Sequence, residues 1–256
     1  MGISYDLSSQ LDEMPCEVEN TTWLSGEELT YKVYYNWQFI WIPAGEAKFK
    51  VTENADSYDF LVTGETSSTY DGLFKVRDRY YSRVSKESGQ PEYFVRMAHQ
   101  GKYIRYDSLA FDYDNGVIHE WFGKTKETAE YFQFDMDHCT QDMVSILYHL
   151  RNYEQSNITP GSRLPINVFF DKEYYDLDIN VNDVYEERIK GIGKQEVIHL
   201  TPELVSGEVF TEGNEMDIYV SNDEAKIPLL IESAISVGSI KAVLVETKNT
   251  KNNPIN

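Results

Sequence analysis

Period-two alternation runs through nearly the whole chain and gives way to a helical period once. Leu29, Tyr31, Val33, Tyr35, Trp37, Phe39 and Trp41 fall on one side of an extended chain, with Thr30, Lys32, Tyr34, Asn36 and Gln38 on the other, which is the pattern of a half-buried strand. Pro43, Ala44 and Gly45 read as a turn. Beyond them Ala47, Phe49 and Val51 oppose Glu46, Lys48, Lys50 and Thr52, and the pair predicts a long hairpin with one aromatic face.

The same pattern recurs in "YDFLVTGE", "LFKVRDRYYSRV", "EYFVRMAH", "KYIRYDSLAFDY" and "GVIHEWF", punctuated by Asp71-Gly72, Ser88-Gly89 and Asn115-Gly116. Asn-Gly is a strong hairpin signal. After Thr140, a candidate N-cap, the period changes, and Met143, Ile146, Leu147 and Leu150 form one stripe of a helix expected over 141–153. Strand-like runs resume with "RLPINVFFD", "EYYDLDINV", "EVIHLTPELVSGEVF" and "MDIYVSND", ending with "IPLLIESAISVGSIKAVLVETK". No repeat or Pro/Ser linker divides the chain, and "TPGSR" is the one internal seam. The expected fold class is all-β and mainly antiparallel: a large curled sheet or open β-barrel-like fold with one packed α-helix. Residues 1–20 form an N-terminal extended segment, 21–247 a single antiparallel β domain, and 248–256 a flexible tail.

A formal charge of −20, from 23 basic against 43 acidic residues, disfavours nucleic acid and anionic membrane surfaces. The charge is dispersed, as on a solvated surface. No run reaches the ~18 to 20 apolar residues of a spanning helix, and the first residues lack the basic and apolar regions of a signal peptide. Cys16 and Cys139 stand far apart in no metal-ligand spacing. Two readings stay open: unrelated buried thiols, or one disulfide stabilising the fold by roughly 4 to 5 kcal/mol across so long a loop.

Motifs for chemistry fail where the physics matters. "GIGKQE" puts Glu196 where a phosphate-binding turn needs its third glycine. "HEWFG" has Gly123 in place of a second zinc-binding histidine, and the serine-nucleophile motifs are absent. Asp176, Asp178, Asn180 and Asn182 alternate along a strand, which spaces oxygens too widely to chelate one calcium ion. His138 could approach Asp142 at the helix start. Arg77 and Asp78 face opposite sides of "KVRDRYY", and a charge inside a curled sheet must be paired. They predict an internal ion pair or a polar contact at the bottom of a cavity. No metal or cofactor follows.

Taken together, "SGEELTYKVYYNWQFIWIPAGEAKFKV", "YDGLFKVRDRYYSRV", "QDMVSILYHLRNYE" and "IYVSNDEAKIPLLIESAISVGSIKAVL" resemble the bacterial domain-of-unknown-function 3108 family, abundant in Bacteroidetes. The resemblance runs from about Cys16 to Val245 and rests on Gly26-Glu27, the Tyr34 to Gly45 hairpin, Arg77-Asp78, "DMVSILYHLRN" and "VGSIKAVL". Members usually carry export or lipoprotein signals, so the resemblance implies a periplasmic or outer-membrane-associated location and favours the Cys16–Cys139 disulfide. The family's "SDD"-like block is Ser221, Asn222 and Asp223 here, which speaks against an essential carboxylate there. A sheet curled around a helix also resembles, in architecture alone, the lipoprotein carriers of the Lol system.

The expected function is therefore a non-enzymatic envelope protein that takes an apolar or amphiphilic ligand (lipid, lipoprotein or glycan) on a concave aromatic face. Tyr35, Trp37, Phe39 and Trp41 would line that face, with Arg77 and Asp78 as polar contacts and the helix as plug or lid. The alternatives are a structural module of an envelope assembly, or a carbohydrate-active enzyme, which would need two carboxylates in one cleft with one kept protonated.

Overall fold

In the computed structural model, residues 13–37, 40–72, 74–136, 139–204, 215–235 and 238–255 are described. The first run of strands is β1 (Glu28–Trp37), β2 (Ile40–Glu53), β3 (Ser57–Thr66), β4 (Arg77–Ser85), β5 (Pro91–Gln100), β6 (Tyr103–Asp112), β7 (Val117–Gly123) and β8 (Glu130–Asp135). The helix α1 (Ser145–Arg151) follows, and then β9 (Arg163–Phe170), β10 (Glu173–Ile189), β11 (Gly193–Pro202), β12 (Met216–Ser221), β13 (Pro228–Ala234) and β14 (Ser239–Lys248). All fourteen strands join one antiparallel sheet in the order 8-7-6-5-4-3-2-1-14-13-12-11-10-9.

That order is a meander cut in its middle: the chain's first and last strands, β1 and β14, pair at the centre. The two edges, β8 and β9, flank the segment that carries α1. A sheet this wide must curl, and the curl brings both halves onto the helix. Ile146 packs with Leu164, Ile179 and Ile198 from one half, whereas Val144 and Tyr148 pack with Phe60, Phe94 and Leu109 from the other. Across the seam Phe134 of β8 lies 5.1 Å from Phe169 of β9 between ring centroids. The backbone of Gln141 covers the open edge of β9, donating to Asn167 O at 3.0 Å and accepting from Phe169 N at 2.9 Å. Edge groups that would otherwise be free to pair with another chain are thereby occupied.

With seven residues, α1 is too short to be stable alone, and buried side chains hold it. Asp142, not the expected Thr140, organises its start: one carboxylate oxygen accepts from Val144 N at 2.7 Å and Ser145 N at 2.9 Å, and the other from Ser82 Oγ at 2.6 Å. The helix begins four residues later than expected, and its burial is two-sided because sheet surrounds it. Ser145, Ile146, Tyr148, His149 and Arg151 are buried while Leu147 is 43% exposed.

Residues ahead of β1 strap the helix down. Met14 and Trp23 enter the two helix-side cores, Asn152 Oδ1 accepts from Thr21 N at 2.8 Å and Thr22 Oγ1 at 3.1 Å, and a disulfide joins Cys16 to Cys139 with their Cα atoms 4.6 Å apart. At the other end the expected flexible tail is tied down instead. Pro254 O accepts from Gln195 Nε2 at 3.1 Å and Ile255 packs on the core beneath β1 and β13.

The first hairpin departs from the sequence reading. Trp37 of β1 pairs with Ile40 of β2, and Pro43 to Gly45 lie inside β2. The register skips Ala44 between the Val33–Gly45 and Tyr34–Pro43 pairs. This bulge mimics a turn in sequence because Pro and Gly suit both.

Candidate functional site

Between α1 and the β9–β13 half of the sheet runs a cleft of about 130 Å³, open to solvent at one side and walled almost wholly by carbon. Each strand contributes through its alternation. Leu29 and Tyr31 project from β1, Ile179 from β10, Ile198 and Leu200 from β11, and Ile218 from β12, facing Leu147 and Leu150 of the helix. Tyr31 Oη donates to Pro228 O at 2.8 Å, so its one polar atom is satisfied and its ring serves as wall; burial pushes its phenol well above the usual tyrosine range. Leu147 belongs to this wall and is 43% exposed at the open side of the cleft.

One end of the cleft is cationic. Arg151 makes a bidentate pair with Glu27, Nη1 to Oε1 at 2.6 Å and Nη2 to Oε2 at 3.1 Å, and its Nε donates to Ala225 O at 3.0 Å. Its guanidinium carbon is 5.9 Å from the Trp23 ring and 5.8 Å from that of Tyr148, within cation-π range. The loop that presents Ala225 is shaped by Asp223, whose Oδ1 accepts from Ser221 Oγ at 3.0 Å, Ala225 N at 2.9 Å and Lys226 N at 3.1 Å. The next residue, Lys226, has φ of 45° and lines the cleft with only 8% of its surface exposed. Asp223 thus shapes the turn.

A second polar cluster lies across the seam on the far half of the sheet. Neighbouring strands put Arg96 opposite Asp107 and Leu109 opposite Glu120, and Asp107 and Glu120 are fully buried. Arg96 contacts Asp107 at 3.3 Å and also Asp171 in the β9–β10 turn. Lys172 of the same turn reaches over Phe122 and Phe132, 4.5 and 4.6 Å from their centroids. Burial, followed by the Asp107 charge, pushes Glu120 up to about 8, and burial lifts Asp107 to about 6 despite Arg96. Burial and the mutual charge of the two carboxyls thus favour holding a proton, on Glu120 more than on Asp107. Both carboxyls are buried behind Arg96 and the turn, and neither lines the cleft beside α1. Chemically the cluster is a latch: it ties the β9–β10 turn to β5–β7 across the seam.

The aromatic residues singled out in sequence do not form the cleft. Trp41 pairs with Asn36, and Tyr34, on that same face, pairs with Lys241. Lys241 Nζ lies 4.8 Å from the Trp41 ring centroid. The bulge at Ala44 has changed the parity of β2, so Trp41 lies on the face opposite Tyr31, 39% exposed. Tyr35 keeps the face of Tyr31 but sits about 13 Å further along the strand. There it meets the β13–β14 turn: a Cβ at Gly238 would come 2.7 Å from Asn36 O and 3.1 Å from Tyr35 Oη. Phe39 and His138 lie outside the described residues, as does the side chain of Trp37.

Arg77 and Asp78 also find separate partners. Arg77 pairs with Asp71 at 2.7 Å and donates to Thr66 O, clamping the β3–β4 loop. Asp78 accepts from His99 N at 2.9 Å and Gln100 Nε2 at 2.6 Å, and burial raises its pKa. Neither lines the cleft. Asp176 and Asp178 are taken by Asn167 and Arg163, and among the described residues no group of three or more His, Cys, Asp or Glu could hold a metal ion.

The residues that matter here, Arg151, Glu27 and Lys226, were not singled out by the alternation. A signal existed for one: Arg151 follows the apolar stripe of the helix by one position, where a solvated charge is not expected.

No curated protein matches the chain. Among solved structures, the chain is similar to a β-barrel-like protein of domain of unknown function DUF1849 from Brucella abortus, with a TM-score of 0.60, 9% identity, and coverage of 90% of this chain and 100% of that one. It is also matched to the hypothetical protein CT021 from Chlamydia trachomatis, with a TM-score of 0.38, 9% identity and 91% of each chain covered. The first likeness shows a β-barrel-like fold. A family model described as "Protein of unknown function (DUF3108)" matches residues 30–245, which run from within β1 to within β14 and take in the helix and Lys226, and the chain belongs to that family.

Proposed function

We propose that the chain is a non-catalytic binding protein of the cell envelope, which holds a hydrocarbon chain in the cleft between α1 and β9–β13. The observation that carries this reading is the exposed Leu147 facing an almost wholly carbon-lined recess inside the curl. Apolar recesses of this kind, with few polar groups at fixed places, are the usual form of small-molecule sites. The aliphatic lining favours an acyl chain over a glycan, since a sugar stacks on flat aromatic faces and the walls here are mostly Leu and Ile. The disulfide between Cys16 and Cys139 supports an oxidising compartment, in keeping with a periplasmic or outer-membrane-associated location.

Displacement of a solvatochromic hydrocarbon probe tests the reading. The wild-type protein should take up the probe and release it to long-chain lipids, while Leu147→Arg, which places a charge in the recess without touching the sheet, should not take it up. Equal uptake by both proteins would move the ligand elsewhere or remove it.

A further inference from the structure

The two cations at the end of the cleft are not equivalent. Arg151 is neutralised by Glu27 and spends its third donor on Ala225 O. Lys226 packs its stem into the end of the cleft with 8% of its surface exposed, and its ammonium, which is not itself buried, reaches solvent with no hydrogen-bond or ion-pair partner among the described residues. Its nearest acids are committed elsewhere: Asp223 Oδ1 holds the turn, and Glu224 pairs with Lys251 at 3.2 Å. Burial, with the Arg151 charge second, lowers the pKa of Lys226 below the usual lysine range. A stem packed in the cleft with an unpaired ammonium at its mouth leaves that charge available to an anion. An uncharged side chain would close the end of an apolar cleft more favourably.

We propose that Lys226 receives the anionic headgroup of a single-chain amphiphile whose hydrocarbon lies in the cleft against Leu147, Leu150 and Ile198. The inference rests on the reading of the cleft as a hydrocarbon site. Charge complementarity fixes the orientation: the head lies at the Arg151 end and the tail runs along the aliphatic wall. A carboxylate and a phosphate share the chemistry that Lys226 requires, because an ammonium is a compact point charge without the planar fork that would select between them.

The test compares dodecanoate, dodecyl phosphate and dodecan-1-ol by titration calorimetry on the full chain, below their micelle concentrations. The anions should bind about tenfold or more tightly than the alcohol, the increment of one charge-assisted contact, and the tighter of the two identifies the headgroup. Lys226→Met should abolish this preference, bringing the anions down to the level of the alcohol in the same protein, whereas Lys226→Arg should retain it. Equal binding of all three by the wild-type protein, or a preference that survives in Lys226→Met, would overturn the proposal while leaving the hydrocarbon site intact. A wild-type protein that binds none of the three would overturn the cleft reading itself.

Discussion

Arg151 at the end of α1 and Glu27 just before β1 face each other through two hydrogen bonds of 2.6 and 3.1 Å, although 124 residues separate them in sequence. Their side chains are 6% and 1% exposed. The contact joins the helix to the centre of the sheet, and Ala225 O brings the β12–β13 loop to the same guanidinium. Three ordered blocks of the family resemblance therefore meet at one side chain.

Removing one partner should be costly. Glu27→Gln or Arg151→Met alone leaves a buried charge uncompensated, and each should lower stability by roughly 3 to 5 kcal/mol. The double variant should recover part of that loss. Urea unfolding of the four proteins checks this, and additive losses would show that the pair does not act as a unit.

Glu120 gives the chain a pH dependence of known sign. Its folded pKa, about 8, lies above its ordinary 4.5, so the folded state holds the proton more tightly and stability falls as pH rises through that interval. Asp107 and Asp142, raised to about 6, add to this fall at lower pH. His149, lowered from 6.5 to about 4 by burial, acts oppositely, with stability lost as pH drops through that range. Between about pH 6.5 and 8 the Glu120 effect stands clear. The wild-type protein should lose stability there with a slope of up to about 1.4 kcal/mol per pH unit, and Glu120→Gln should be flat. The same slope in both would assign the proton elsewhere.

The disulfide holds the strap of residues 13–23 over the helix. Cys16→Ser/Cys139→Ser should lose about 2 to 5 kcal/mol, and the wild-type protein under reductant should match it. Thermal melts with and without reductant compare the two directly; melts that ignore reductant would mean that the strap is held by Met14, Trp23 and Asn152 alone.

Trp41 and Ile198 should behave oppositely. Ile198 is 1% exposed in the cleft wall, and Ile198→Ala should cost about 2 to 4 kcal/mol. Trp41 lies on the other face, so Trp41→Ala should change stability by about 1 kcal/mol or less and leave probe uptake unchanged. Loss of uptake in Trp41→Ala would return the ligand to the aromatic hairpin.

The strands were legible because alternation is a local property. Each run from "YDFLVTGE" to "SIKAVLVETK" carries its own period, and the hairpin turns carry Gly at positive φ, as at Gly116 and Gly191. β8 escaped because "EYFQFD" is short and buries none of its residues fully. The face of Trp41 escaped because parity depends on a bulge at Ala44, and Pro-Ala-Gly reads equally well as a turn. The helix was found, but its stripe was not: a helix enclosed by a curled sheet buries Tyr148, His149 and Arg151 as well as Ile146. The site was least legible. Its Leu and Ile walls have the composition of any core, and only the three-dimensional gap beside Leu147 distinguishes them.

Native mass spectrometry of protein exported to an oxidising compartment tests the central claim most directly. The account predicts an intact mass above that of the polypeptide, with the excess lost on denaturation and identified as a lipid with a single acyl chain, and lost also in Leu147→Arg. A bare polypeptide mass that stays bare after incubation with such lipids would contradict it.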